Sequence, residues 1–232
     1  RTETGYDYSR VDEDLQYCLD RGMNSFSIAD FAAGPYEPER EAELRRFLAD
    51  YAQHLRDRGW FDKAYLKLHD EPSPEIFPRV RAQAELVREI DPTIRRLCTV
   101  AINQDLVGAV DIWCPITSWA DPVAVAAARA RGEDVWVYTC GGPGPPTPNI
   151  AHLRQDAMGH RLLAWHCWGL GASGYLYWSL KFWPDANTTN GDHQWSAWRW
   201  AQGAKVRLAP QPEAGPGWPL LAWVAGIPGL AV

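Results

Sequence analysis

No stretch of this 232-residue chain is apolar for long enough to cross a bilayer. The longest candidate, PLLAWVAGIPGLAV (Pro219 to Val232), is too short and is broken by Gly226, Pro228 and Gly229. Positive charge is also scarce: 23 Lys and Arg stand against 29 Asp and Glu, for a net charge of −6. That balance argues against a nucleic-acid partner, which needs concentrated positive charge facing phosphate. Cysteine is sparse and scattered, at Cys18, Cys98, Cys114, Cys140 and Cys167, with no CxxC pair and no zinc-type histidine spacing. An odd number leaves at least one thiol unpaired within the chain. The five read as mostly buried thiols, with two disulfides still open and the compartment therefore undecided. A dinucleotide fingerprint is missing too, because GGPGPP (Gly141 to Pro146) lacks the GxGxxG spacing and runs into prolines. No metal and no cofactor are expected. The chain starts at Arg1 with neither methionine nor an apolar leader, which reads as a processed form or a fragment.

What is abundant is apolar and aromatic material: 46% hydrophobic residues, with 13 Trp and 9 Tyr. That suffices for one large domain or most of one. Short β-rich runs alternate with amphipathic helices, the pattern of parallel βα units. The first strand is expected over Asn24 to Asp30. Leu44, Phe47, Leu48, Tyr51, Ala52 and Leu55 then recur at helical spacing, and Gly59 stops that helix. KAYLKL (Lys63 to Leu68) is the second strand, followed by a helix from about Glu75 to Ile90. Further strands are expected over Ile94 to Val100, Ala109 to Ile116, Asp134 to Cys140 and Ser173 to Trp183. Asp121 and Pro122 cap and open a helix that Gly132 closes. A last helix spans Ala157 to Leu170, with Met158, Leu162 and Trp165 at helical spacing. Six strands separated mainly by helices suit an open doubly wound sheet or a (β/α)8 TIM-like barrel short of its first two units.

The strand ends carry acids and aromatics. Asp70 and Glu71 are adjacent carboxylates at the tip of the second strand, with His69 before and Pro72 after. Side chains alternate along a strand, so neighbours share one face only if the chain bends between them, and Pro72 favours a bend by pushing Glu71 out of the helical region. A loop carrying two solvated acids is the plainer alternative. Asp30, Trp113, Tyr138, Tyr177 and Trp178 occupy other strand ends, and indole faces there can stack on sugar rings. Trp60, Trp165 and Trp168 read instead as core packing. His69 either holds a carboxylate or is an ordinary satisfied histidine. His160 and His166, six apart on one helix, read as structural.

The runs WFDKAYLKLHDEP, RVRAQAELVREIDP, DLVGAVDIWCP, VWVYTCGGPGPP, MGHRLLAWHCWGLGASGYLYW and NGD resemble the catalytic domains of glycoside hydrolase family 123, over most of the chain to about Asp192. The resemblance implies a (β/α)8 barrel that hydrolyses β-linked 2-acetamido sugars, N-acetylgalactosaminides above all, by substrate-assisted retention. It also implies a bacterial, secreted or periplasmic setting. Its catalytic pair maps onto Asp70 as the group that steadies the acetamido nucleophile and Glu71 as general acid/base. His69, Asp30, Trp113, Tyr138, Tyr177, Trp178 and Trp183 are the expected sugar-binding residues. Lys181 stands where asparagine is usual in the family. After Asp192 the sequence departs from it, so 1–192 is read as a partial barrel domain and 193–232 as a tail without clear period. The competing readings are a non-catalytic sugar-binding barrel fragment, a retaining glycosidase with a conventional carboxylate nucleophile at Asp30, and a purely structural fragment. Oligomeric state is not legible.

Overall fold

A computed structural model describes residues 5–31, 38–150 and 157–177. They form six parallel strands whose order across the sheet is their order in the chain: β1 (Phe26–Asp30), β2 (Ala64–Asp70), β3 (Arg96–Thr99), β4 (Ile112–Trp113), β5 (Asp134–Thr139) and β6 (Gly174–Tyr177). A doubly wound sheet reverses direction at a switch point, whereas every crossover here steps the same way. Among the described residues the result is a curled half-barrel, an α/β fold consistent with an incomplete barrel. The expected domain boundary at 192, the tail, Lys181, Trp178 and Trp183 lie outside the described residues.

Five helices accompany the strands: α1 (Ser9–Leu19), α2 (Pro38–Asp57), α3 (Phe77–Ile90), α4 (Pro122–Ala130) and α5 (Ala157–Gly169). In α2 the anticipated stripe packs inward, with Leu48, Ala52 and Leu55 fully buried. Burial of each leucine contributes about 1.5–3 kcal/mol. The exposed ion pairs Arg45–Glu41 and Arg46–Glu43 on the same helix are screened by water and matter far less. Asp121 caps α4 by accepting from the N–H groups of Val123 and Ala124. Helix α1 was not anticipated, because Leu15 is its only buried side chain and its first turns are charged. It is docked through polar groups: His54 Nε2 lies 2.7 Å from Asp12 Oδ1, and Tyr8 donates its hydroxyl to Asp50 at 2.9 Å.

Two sequence expectations fail. The strand expected over Ala109 to Ile116 shrinks to Ile112–Trp113, because Pro115 has no N–H to give the ladder; its carbonyl still accepts from the Tyr138 N–H at 3.1 Å. The expected stripe on α5 also faces water. Met158, Leu162 and Trp165 are 56%, 43% and 69% exposed, and Trp168 is 61% exposed, so Trp165 and Trp168 are not core residues. The helix packs instead through Gly159, Leu163 and Cys167, a second apolar stripe of smaller side chains. Trp60 is buried as expected. All five cysteines are free thiols, which removes the two-disulfide alternative.

The concave face holds Tyr65, Leu97, Ile112, Cys114, Trp136, Tyr138 and Leu176. Tyr65 and Trp136 meet edge to face, ring centres 5.2 Å apart. Trp136 fits there because its neighbour across the ladder is Gly174. A Cβ at that position would lie 2.5 Å from the indole. Gly174→Ala is therefore expected to destabilise the fold by about 1–3 kcal/mol through overpacking, read as a lowered midpoint in urea with unchanged slope. A midpoint equal to that of the parent would contradict the packing.

Polar groups tie the strands together at their amino-terminal rim. Arg95 pairs with Asp134, which also accepts from Ser173 Oγ at 3.0 Å. The Arg96 side chain grips Asp111 through two hydrogen bonds of 2.6 Å each. A polar hollow of about 320 Å³ lies among these groups, at the opposite end of the strands from Asp70 and Glu71.

Candidate active site

Asp70 ends β2, and two backbone irregularities turn it and Glu71 to the same side. Lys67 pairs with Leu97 and Asp70 with Thr99, so three steps on β2 match two on β3. The extra residue is a bulge, which reverses the alternation and brings Asp70 onto the concave face shared by Lys67, Leu97 and Thr99. Glu71 then takes a left-handed backbone, φ 45°, the only positive φ outside glycine among the described residues. A side chain there is strained and is held by its surroundings. The bend is thus sharper than the restriction imposed by Pro72 alone.

Asp70 is held by one oxygen. Lys67 Nζ lies 3.0 Å from Oδ1 and Thr99 Oγ1 lies 2.9 Å from the same atom. Burial pushes this carboxyl up, but the Lys67 charge and hydrogen bond, with the Thr99 bond, outweigh it and hold it below the usual carboxylate range. Lys67 is largely buried, whereas the Asp70 side chain is 71% exposed. Glu71 is also exposed and accepts the Tyr138 hydroxyl at Oε1. Burial first, then the bond to Glu71, pushes the Tyr138 phenol up, so its hydroxyl keeps its proton throughout the ordinary pH range and can donate to Glu71 Oε1.

The expected binding residues divide. Tyr138 reaches the acidic pair directly. His69 adjoins it, but its Nδ1–H donates to the Asp70 backbone carbonyl at 3.0 Å and not to a carboxylate. Asp30 ends β1 opposite Lys67 in the register, beside a mostly apolar hollow of about 290 Å³ lined also by Tyr6, Phe31 and Phe47. Trp113 is not brought to the site: it is fully buried, and its indole N–H donates to Glu133 at 2.7 Å. Alternation also puts Tyr177 on the side of Tyr175, away from Leu176 on the concave face. Lys67 and Thr99 went unassigned in the sequence. A lysine inside an apolar strand three residues before an acid was the available signal for Lys67, and Thr99 had none.

Among the described residues no group of three or more His, Cys, Asp or Glu side chains is placed to hold a metal, and no helix is long and apolar enough to cross a membrane.

The sequence matches the family described as "Glycoside hydrolase 123, catalytic domain" over residues 11–223. Among solved structures, the fold is similar to that of a family 123 glycoside hydrolase from Clostridium perfringens, solved in a study of glycolipid glycan hydrolysis. The TM-score is 0.51 at 19% identity, and the match covers 66% of this chain. It spans 27% of the length of that protein. A search of curated proteins returns no match.

Proposed function

Since the chain belongs to the glycoside hydrolase 123 catalytic-domain family, we propose that it contributes a site for hydrolysing β-linked 2-acetamido glycosides, N-acetylgalactosaminides in particular, with the substrate's own acetamido oxygen as nucleophile. The observation that carries this reading is the pairing of two consecutive acids with opposite environments. Glu71 accepts from the Tyr138 phenol, while the half-buried Lys67 beside Asp70 favours its ionised form and engages only one of its oxygens. An enzyme with a protein nucleophile instead needs its two acids on opposite sides of the glycosidic bond.

Four events make up the proposed cycle. The acetamido oxygen attacks the anomeric carbon. Glu71 gives its proton to the departing glycosidic oxygen as that bond breaks. Asp70 accepts the acetamido N–H and stabilises the positive charge growing on the cyclised, oxazolinium-like intermediate. Glu71 then takes a proton from water, which attacks the same carbon and reopens the ring with overall retention. Tyr138 and Glu71 are neighbours, so the phenol keeps the carboxyl aimed at the leaving group in both halves of the cycle. A glycolipid glycan is a natural first substrate to try, given the activity named for the Clostridium perfringens protein.

The test is a panel of aryl β-glycosides with and without the 2-acetamido group. Turnover confined to the acetamido members is the expected result. Equal rates on plain galactosides, a covalent sugar ester on Asp30, or binding without turnover would each overturn it.

The pH profile carries a further expectation. Asp70 must be ionised to act, and its pKa lies below the usual carboxylate range, so the acid limb of kcat/KM should fall there as well. Lys67→Met leaves the upward push of burial unopposed by that cation, and the limb is expected to move to higher pH. An unmoved limb would show that Asp70 does not set it. Stability has the same sign. A depressed pKa contributes stability above the ordinary carboxylate range, and that contribution is lost as pH falls through the folded value. At 71% exposure the contribution is small.

A further inference from the structure

The Thr99 hydroxyl touches three groups of the acidic turn while being itself 3% exposed. The Glu71 backbone N–H points to Oγ1 at 3.1 Å, Asp70 Oδ1 lies 2.9 Å away and the His69 carbonyl 3.2 Å away. A hydroxyl has one proton to give and lone pairs to receive. Toward Glu71 the oxygen can only accept, which ties down the backbone N–H of the strained left-handed residue. Its single proton has two candidate acceptors, and the ionised carboxylate is both nearer and the stronger partner.

We propose that Thr99 is a positioning residue that couples the two acids, holding the left-handed turn at Glu71 with its lone pair and steering Asp70 with its proton so that Oδ2 faces the ligand. This rests on the glycosidase reading above. Lys67 and Thr99 both engage Oδ1, so Oδ2 has no partner among the described residues and is the oxygen free to receive an acetamido N–H. The register explains why β3 supplies this group: Thr99 is the partner of Asp70 across the bulge, on the same face. The arrangement also responds to charge. When Asp70 is protonated it is a poorer acceptor, and the Thr99 proton can turn to the His69 carbonyl 3.2 Å away. The bond therefore favours the ionised form of Asp70, in the same direction as Lys67.

The charged and titratable groups around Asp70 come from every neighbouring strand: Asp30 from β1, Lys67 and His69 from β2 with Glu71 just beyond it, Cys98 from β3, Cys114 from β4 and Tyr138 from β5. Burial pushes the thiols and the phenol up, with Cys98 reaching about 12, so none of these three titrates near Asp70. The readout is accordingly the side-chain carboxyl carbon of Asp70 in protein labelled with 13C-aspartate, assigned by its loss in Asp70→Asn, beside turnover of a 2-acetamido aryl glycoside.

Thr99→Val keeps the shape and removes the hydroxyl. It is expected to lower kcat by about a hundredfold, with KM changed by less than about threefold, since the loss is one of orientation and not of affinity. The Asp70 titration should move upward in this variant. Thr99→Ser restores the hydroxyl and should return both readouts to the parent's. Wild-type kcat together with an unmoved titration in Thr99→Val would overturn the proposal, and so would a serine variant as impaired as the valine one. Should Thr99→Val fail to fold, Thr99→Ala makes the same comparison. If the parent protein turns over no 2-acetamido glycoside, the glycosidase reading fails, and the Asp70 titration in the valine and serine variants still decides the coupling by itself.

Discussion

Glu71→Gln is expected to slow hydrolysis of glycosides with poor leaving groups by about 10²–10⁴-fold, the range typical of losing a positioned general acid. An activated aryl leaving group needs little protonation, so the loss there should be much smaller. The substitution is clean in this setting. Glutamine keeps an oxygen able to accept the Tyr138 hydroxyl, and its backbone N–H can still reach Thr99. What disappears is the exchangeable proton. Rates measured on two substrates that differ only in leaving group decide the matter, and an equal loss on both would show that Glu71 shapes the site without supplying a proton.

Asp70→Asn should be as damaging, but selectively for acetamido substrates. The geometry dictates how the amide would sit. Two donors, Lys67 Nζ and Thr99 Oγ1, converge on the Oδ1 position, so the amide oxygen of the variant turns to them and its NH2 group takes the outward place. There a donor would face the acetamido N–H, and the negative charge proposed to stabilise the cyclised intermediate would be gone. Losing one preorganised electrostatic partner costs about 10²–10³-fold, and the donor clash adds to it. Weakened binding of a thiazoline mimic of the cyclised intermediate, in step with the lost rate, is the measurement to make. A variant that bound the mimic as tightly as the parent would place Asp70 outside the reaction.

The pair itself was readable in the sequence, because an apolar strand running into two acids and a proline is visible without a structure. The device that turns both acids to one side was not. Strict alternation puts Asp70 on the opposite face from Lys67. Only the register with β3 reveals the bulge that reverses this, and a register depends on two strands together. The same limit explains Trp113, whose place at a strand end was legible but whose side of the sheet was not. On α5 the difficulty is different. Apolar residues lie on both Met158–Leu162–Trp165 and Gly159–Leu163–Cys167, so periodicity alone cannot choose the buried stripe, and the structure buries the smaller one. Helix α1 escaped notice because polar contacts secure it. The six strands and their helical separators were legible because each is specified by its own local apolar pattern.

The interlock of Arg95, Asp134 and Ser173, with Arg96 closed on Asp111, sits at the starts of the strands, a full strand length from the acids at their tips. Cohesion and reactivity are thereby housed in separate residues. Substitutions in the loops that leave the strand tips can be sampled without touching the lock beneath, so under the proposed function the preference for one sugar over another is free to drift while the scaffold's inheritance stays constant.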